Sequence, residues 1–242
     1  LNTLLIDCAT DIAFIAASDG KRFARRISRE RSAHSITLFR MIDESLRECG
    51  LSIRDINLIT VGVGPGSFTG LRIAIASARM LAQVLNAPLV GLSSQLIFAL
   101  SIKADPGDDI IVAFDAKKGR VFGSRYHISD DGSIIETITP DDYYPDRLIE
   151  SPLGKGMLWL AGSGSDRYID IFSSRDTKTE HCRELLPDET AVIQYSEKLL
   201  ADNPGHYSDL REVLPHYARK SDAEVLLDEK NRSTGVSPSS AS

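Results

Sequence analysis

The sequence predicts an α/β protein of two similar lobes set side by side, each built on a βββαβα order. Three observations carry this. Apolar strand-like runs alternate with helix-period segments along most of the chain. LLIDCAT and VAFDAKK each end a strand on an aspartate followed by a small residue and a turn. GVGPGSFTG and LAGSGSDRY each run from a strand through glycines into a helix. At 242 residues and 42% hydrophobic content, such a chain buries roughly 70–75% of its unfolded surface and needs no disulfide or metal staple.

The first cycle opens with LLIDCAT, DIAFIAASDG and KRFARRIS, three strands of an antiparallel meander separated by turn signals. SAHSITLFRMIDESLREC has helical periodicity and stops at Gly50. DINLITVGV is a short strand, LRIAIASARMLAQVLN a second helix ending before Pro88, LVGLSS a strand, and SQLIFALSI helical. The second cycle starts with DIIVAFDAKKGRVFGSRYHIS, a strand, turn and strand, which IIETITP extends. MLWLAGSGSDRYIDIF reads as strand, glycine turn and helix; PDETAVIQYSEKLLADN is helical and VLPHYARK a last extended piece. The expected lobes are residues 1–100 and 101–225, with 226–242 a disordered polar tail.

Composition narrows the function. A net charge of −6 makes the chain a poor stand-alone binder of nucleic acid, where affinity comes from Lys and Arg neutralising phosphates. The basic run KRFARRISRER (21–31) either grazes a phosphate backbone or is a solvated strand. Cys8, Cys49 and Cys182 form no CxxC pair, which reads as reduced thiols in the cytoplasm. Asp7 interrupts the first apolar run, so no leader or membrane span is expected there, and no later stretch is read as long enough to span.

The glycine loop has two readings. A strand, a glycine turn and a helix N-terminus make an anion site. Yet GVGPGSFTGLR lacks the lysine of GxxxxGK[ST], and Ser67 and Thr69 stand where GxGxxG needs glycine. Pro65 removes a donor. A structural turn with positive φ at Gly66, capped by Ser67 or Thr69, fits as well. Asp7 and Asp115 either hold a metal–phosphate complex or cap the turns after them. The five histidines show no HxxxH or HExxH spacing, so neither a metal site nor catalytic residues are assigned. His181-Cys182 is a weak dyad in a polar stretch.

Two helices have broad apolar faces. In the first, Ile36, Leu38, Phe39, Met41, Ile42, Leu46 and Cys49 spread over roughly 220°, against a stripe of about 100° for a helix covering only its own core. In the second, only Arg72, Arg79, Gln83 and Asn86 make a polar strip. Each helix is read either as sandwiched in the domain or as offering one face to a partner. On the partner reading, a charge at Leu38 or Ile42 spares the fold and abolishes pairing.

The run G64-P-G-S-F-T-G-L-R72 and the alanine-rich helix after it resemble the hallmark of the bacterial TsaB (YeaZ) family. LLIDCATDIA, the His34-Ser35 helix start, DAKKGRVF, LAGSGSDRY and LPHYARK add looser matches, so the resemblance covers about residues 1–225. It departs at Cys8, where many relatives carry Thr or Ser, and in the tail. The resemblance implies an ASKHA (actin/hexokinase/Hsp70-like) fold of two ribonuclease-H-like lobes. It implies a non-catalytic scaffold that pairs with TsaD, alongside the ATPase TsaE, in threonylcarbamoyl transfer to the adenosine beside the anticodon of ANN-reading tRNAs. Leu38 stands where TsaD has the second histidine of a metal motif. The implied partner surface is His34, Leu38, Phe39, Met41, Ile42, Leu46, Thr69, Ile73, Ala76 and Met80, with a homodimer when the protein is alone and tRNA met only through the complex. No cofactor is expected to bind tightly; ATP or ADP at the partner interface would meet Gly66, Ser67 and Thr69. A stand-alone nucleotide-binding ATPase or kinase on the same fold is the alternative, with a protease behind it.

Overall fold

The computed structural model describes residues 1–29, 34–173 and 177–219. Thr3–Asp7 (β1), Ala13–Ser18 (β2) and Phe23–Ser28 (β3) form the antiparallel meander. His34–Glu48 (α1), Leu58–Gly62 (β4), Phe68–Leu85 (α2), Leu89–Leu92 (β5) and Ser94–Ala99 (α3) follow. The second cycle is Asp109–Asp115 (β6), Val121–Ile128 (β7), Ile134–Tyr143 (β8), Leu158–Ala161 (β9), Ser163–Arg167 (α4), Ile169–Phe172 (α5), Thr179–Cys182 (β10) and Glu189–Asp202 (α6). The two sheets have matching strand orders, β3-β2-β1-β4-β5 and β8-β7-β6-β9-β10. In each, the first strand pairs antiparallel with the second and parallel with the fourth. The duplication is therefore real at the level of topology.

Both sheets are covered on both faces, and the strand sequences alternate between two cores with a period of two residues. Leu4, Ile6, Ile15, Ile59 and Val61 point toward α1 and α2. Leu5, Phe14, Ala16 and Leu58 point the other way, into a central core shared with Ile110, Val112 and Phe114 of the second sheet. Ile111, Ala113, Leu158 and Leu160 face a third core closed by Leu148 and Phe172. Helices α3 and α6 both supply residues to the central core, α3 touching β6 and β7 and α6 touching the first sheet. The chain thus laces the two sheets together.

Several details differ from the sequence expectation. The second cycle has no counterpart of α1: residues Pro145–Ile149 form only a 3₁₀ turn, begun by a proline and burying Leu148 and Ile149. The helix after β9 breaks at Tyr168 (φ −114°, ψ 28°) into α4 and α5. The polar TEHC segment is an edge strand, β10, parallel to β9. Of VLPHYARK, the described residues 213–219 join neither sheet; Lys220 lies outside the described residues. Three of the six basic residues of the run are paired within the protein, Arg22 with Asp19, Arg25 with Glu189, and Arg26 with Glu44 and Glu48; Glu30 and Arg31 lie outside the described residues. The 226–242 tail lies outside them as well. Against the expectation of no apolar stretch of spanning length, the 18 residues of α2 are long and apolar enough to cross a membrane. Leu71, Ala74, Ile75, Ala78, Leu81 and Ala82 of that helix are packed in the first core.

Phe14 is fully buried between the sheets. Phe14→Ala is expected to lower unfolding free energy by about 3–5 kcal/mol, read from the shift in urea midpoint.

Candidate functional site

The glycine loop is shaped by its own chain. Ser67 caps α2, its Oγ accepting from the Gly70 amide at 3.3 Å, and its own amide donates to Ala9 O at 2.7 Å. A Cβ on Gly66 would sit 2.1 Å from Ala9 O, and one on Gly70 would sit 1.9 Å from Cys8 O. Glycine is required at both because two backbones touch. The positive φ falls on Gly64 (93°), before a cis Gly64–Pro65 bond, and not on Gly66 as the sequence implied.

Beside this loop a cleft of about 560 Å³ opens between the lobes, lined by Ala9–Asp11, Gly66 and Ser67 on one side and by Phe114–Lys117, Phe122, Ser163, Asp166 and Arg167 on the other. Each strand-end aspartate holds its turn in the same way. Asp7 Oδ1 accepts from the Ala9 amide at 3.0 Å, and Asp115 Oδ1 accepts from the Lys117 amide at 2.9 Å. Their surroundings then diverge. Asp7 is buried and also accepts from Ser94 Oγ at 3.0 Å. Burial pushes its pKa up, against the hydrogen bonds from Ala9 and Ser94. For Asp115, partial burial pushes up, but Lys117 Nζ at 2.7 Å, the Lys117 amide and Arg167 Nη1 at 3.1 Å hold the carboxyl below its ordinary value. Of the two readings, turn capping describes both aspartates.

The remaining sequence candidates disperse. Among the described residues no three His, Cys, Asp or Glu side chains gather as metal ligands. His181 Nε2 lies 2.8 Å from Asp166 Oδ1 without hydrogen-bond geometry. Its Nδ1 accepts from Arg183 Nε at 3.4 Å. It is thus engaged by Asp166 and Arg183, and burial pushes the Cys182 thiol up, away from a reactive thiolate. Gly66 and Ser67 line the cleft, whereas Thr69 is exposed and absent from its lining.

The broad face of α1 has a structural cause. Leu38, Met41, Ile42 and Leu46 are each under 5% exposed and belong to the first core, because α1 packs on β2 and β3 and also touches α2. This corrects the expectation that they present a free face. A charge at Leu38 or Ile42 would strike the core. Phe39, 45% exposed, is the accessible member; the His34 side chain lies outside the described residues. On α2, Thr69 and Ala76 are exposed, Ile73 is half-buried and Met80 is 48% exposed. Val84, 77% exposed, continues the row and was missed from sequence. Its spacing of four from Met80 was the available signal.

Two lobes of one repeated topology, with an aspartate closing the first strand of each, define an ASKHA-type α/β protein. The family model described as TsaD, tRNA N6-adenosine threonylcarbamoyltransferase, matches residues 28–181. The chain is 29% identical over 133 residues to the Escherichia coli tRNA threonylcarbamoyladenosine biosynthesis protein TsaB, covering 54% of this chain and 58% of that one. It is 30% identical over 119 residues to the Bacillus subtilis TsaB, covering 49% and 50%. The chain thus spans about half the length of the curated relatives it matches. YeaZ from Pseudomonas aeruginosa superposes with a TM-score of 0.74 at 23% identity, over 89% of this chain and 99% of that one, a likeness of fold. The chain belongs to the family that the TsaD model describes, and the curated relatives it resembles within that family are TsaB proteins.

Asp115 gives a pH test. A carboxyl whose folded pKa is depressed contributes stability above its unfolded value, near 3.8, and loses that contribution as pH falls through the folded value. Asp115→Asn is expected to cost about 1–2 kcal/mol at pH 7, and the gap to the parent should narrow between about pH 5 and pH 3. Urea melts across that range measure it.

Proposed function

We propose that this chain is a non-catalytic subunit that binds and activates a TsaD-type threonylcarbamoyltransferase, with TsaE, for tRNA modification in the cytoplasm. The observation that carries the reading is the outward face of α2. Thr69, Ile73, Ala76, Met80 and Val84 follow one another at helical spacing on a helix whose other face is already buried. An apolar row on a packed, rigid helix, with Phe39 exposed on the neighbouring α1, suits a helix-to-helix interface. The names of the E. coli and B. subtilis relatives supply the pathway.

A scaffold role also agrees with the cleft. Lys117 and Arg167 neutralise Asp115, and Asp7 is enclosed by Ser94 and the Ala9 amide. Both oxygens of Asp115 and Oδ1 of Asp7 are thus engaged within the chain. Gly66 and Ser67 remain placed for a nucleotide contact from the cleft side, and Thr69 for one from the helix side. The same apolar row would pair two copies of this chain when the partner is absent. In this reading the sheets within residues 1–100 and 101–225 are the bases of the two lobes, with α6 and residues 213–217 packed on the first.

The sharpest test separates surface from core. Met80→Glu combined with Val84→Glu should leave unfolding free energy within about 0.5 kcal/mol of the parent and weaken co-elution with TsaD by at least about tenfold. Leu38→Glu should instead lose the fold. In reconstitution with TsaD, TsaE, the adenylate-forming enzyme, tRNA, threonine, bicarbonate and ATP, modification should vanish when this protein is left out. Equal modification without it would overturn the proposal.

A further inference from the structure

The last described segment does more than trail along the surface. Val213 is buried in the core beneath α2. The His216 amide donates to Val63 O at 2.8 Å. The Tyr217 ring packs on Phe68 with centroids 4.6 Å apart, and its hydroxyl accepts from Arg72 Nε at 3.0 Å. Two residues later the chain is fastened to the other lobe. Arg219 Nη1 donates to Ala116 O at 2.8 Å and Nη2 to Asp142 Oδ1 at 3.0 Å, while Nε also reaches the Asp142 carboxylate.

These anchors sit on opposite walls of the cleft. Phe68 directly follows Ser67, which lines one wall, and Ala116 lines the other. We propose that residues 213–219 form an interlobe clasp that sets the separation of the two walls, and with it the width of the cleft. The fixing is strong at both ends. On the first lobe it combines a buried aliphatic side chain, a backbone hydrogen bond and an aromatic contact. On the second it is a two-point arginine–carboxylate pair between partly buried groups, a charge-assisted geometry that resists rotation. The shared central core joins the lobes behind the cleft, so a clasp across its walls opposes the hinge motion that such a base allows. The inference goes beyond the proposed function and holds whether or not α2 binds a TsaD-type partner.

Arg219 can be removed without stranding a charge, because Arg120 Nε also donates to Asp142 Oδ1 at 2.8 Å. The test is hydrogen exchange read by mass spectrometry on the full chain. Arg219→Ala is expected to speed exchange about tenfold in the 116–122 hairpin it touches and also in residues 63–71 on the far wall. Tyr217→Ala, which removes a contact to the first lobe, should in turn speed exchange in the 116–122 hairpin. Arg211→Ala, which breaks only a local pair with Asp209, should change neither wall. Acceleration confined to the lobe that each mutated side chain touches would overturn the clasp, since the segment would then make two independent local contacts. If Tyr217→Ala does not fold, the response of residues 63–71 to Arg219→Ala decides the matter alone.

Discussion

The structure is organised around the contact of two backbones: the first turn of α2, with the loop before it, lies directly against the turn that follows β1. Cys8 O and Ala9 O occupy the space where side chains on Gly70 and Gly66 would be, and the Ser67 amide is bonded to Ala9 O. That contact fixes where α2 begins and how it is rotated. Rotation then decides which residues enter the core. Leu71, Ala74, Ile75, Ala78 and Leu81 face the sheet, so Ala76, Met80 and Val84 have to face out, with Ile73 at the margin, packed in part against the core. The same contact places Gly66 and Ser67 at the cleft beside Ala9. One close approach therefore sets the cleft floor and the exposed face of the helix together.

How far the sequence could be read follows from which forces were local. Strand and helix order was legible because period-two and helical patterns are written into each segment, and because Gly50, with φ of 72°, ends α1 as a glycine stop does. The duplication was legible from the two strand-end aspartates, whose turn geometry depends on only two or three residues. The face of α1 was misread because its neighbours are distant in sequence. A helix gripped by two strands and a second helix needs a wide apolar surface merely to fill its own site. The strand β10 was hidden for the opposite reason: it sits at an edge with β9 as its one strand neighbour and Glu180 exposed, so its sequence is polar and carries no apolar period.

The two lobes share a plan but not an electrostatic design. Asp7 sits in a neutral pocket, where burial works against its charge, while Asp115 is held ionised by Lys117 and Arg167. An open metal–phosphate site would need both carboxylates directed at one ligand with lone pairs to spare. Here the shared turn is retained, and only Asp115 has its charge met by cations inside the protein. The turn hydrogen bonds are common to both lobes because they belong to folding, whereas the charges around them are set by neighbours that differ.

The asymmetry of the helices completes the argument. The first lobe carries α1 and α2 on its outer face, whereas the corresponding layer of the second holds a 3₁₀ turn and the short α4 and α5. Long helices present continuous side-chain rows, which is what another helix can pack against; single turns do not. The long helices of the outer layers therefore belong to the first lobe. Residues 213–219 pass from the N-terminal turn of that same α2 to the opposite wall of the cleft. A displacement of α2 would be felt across the cleft through this segment, which gives the helix face and the cleft a direct mechanical connection.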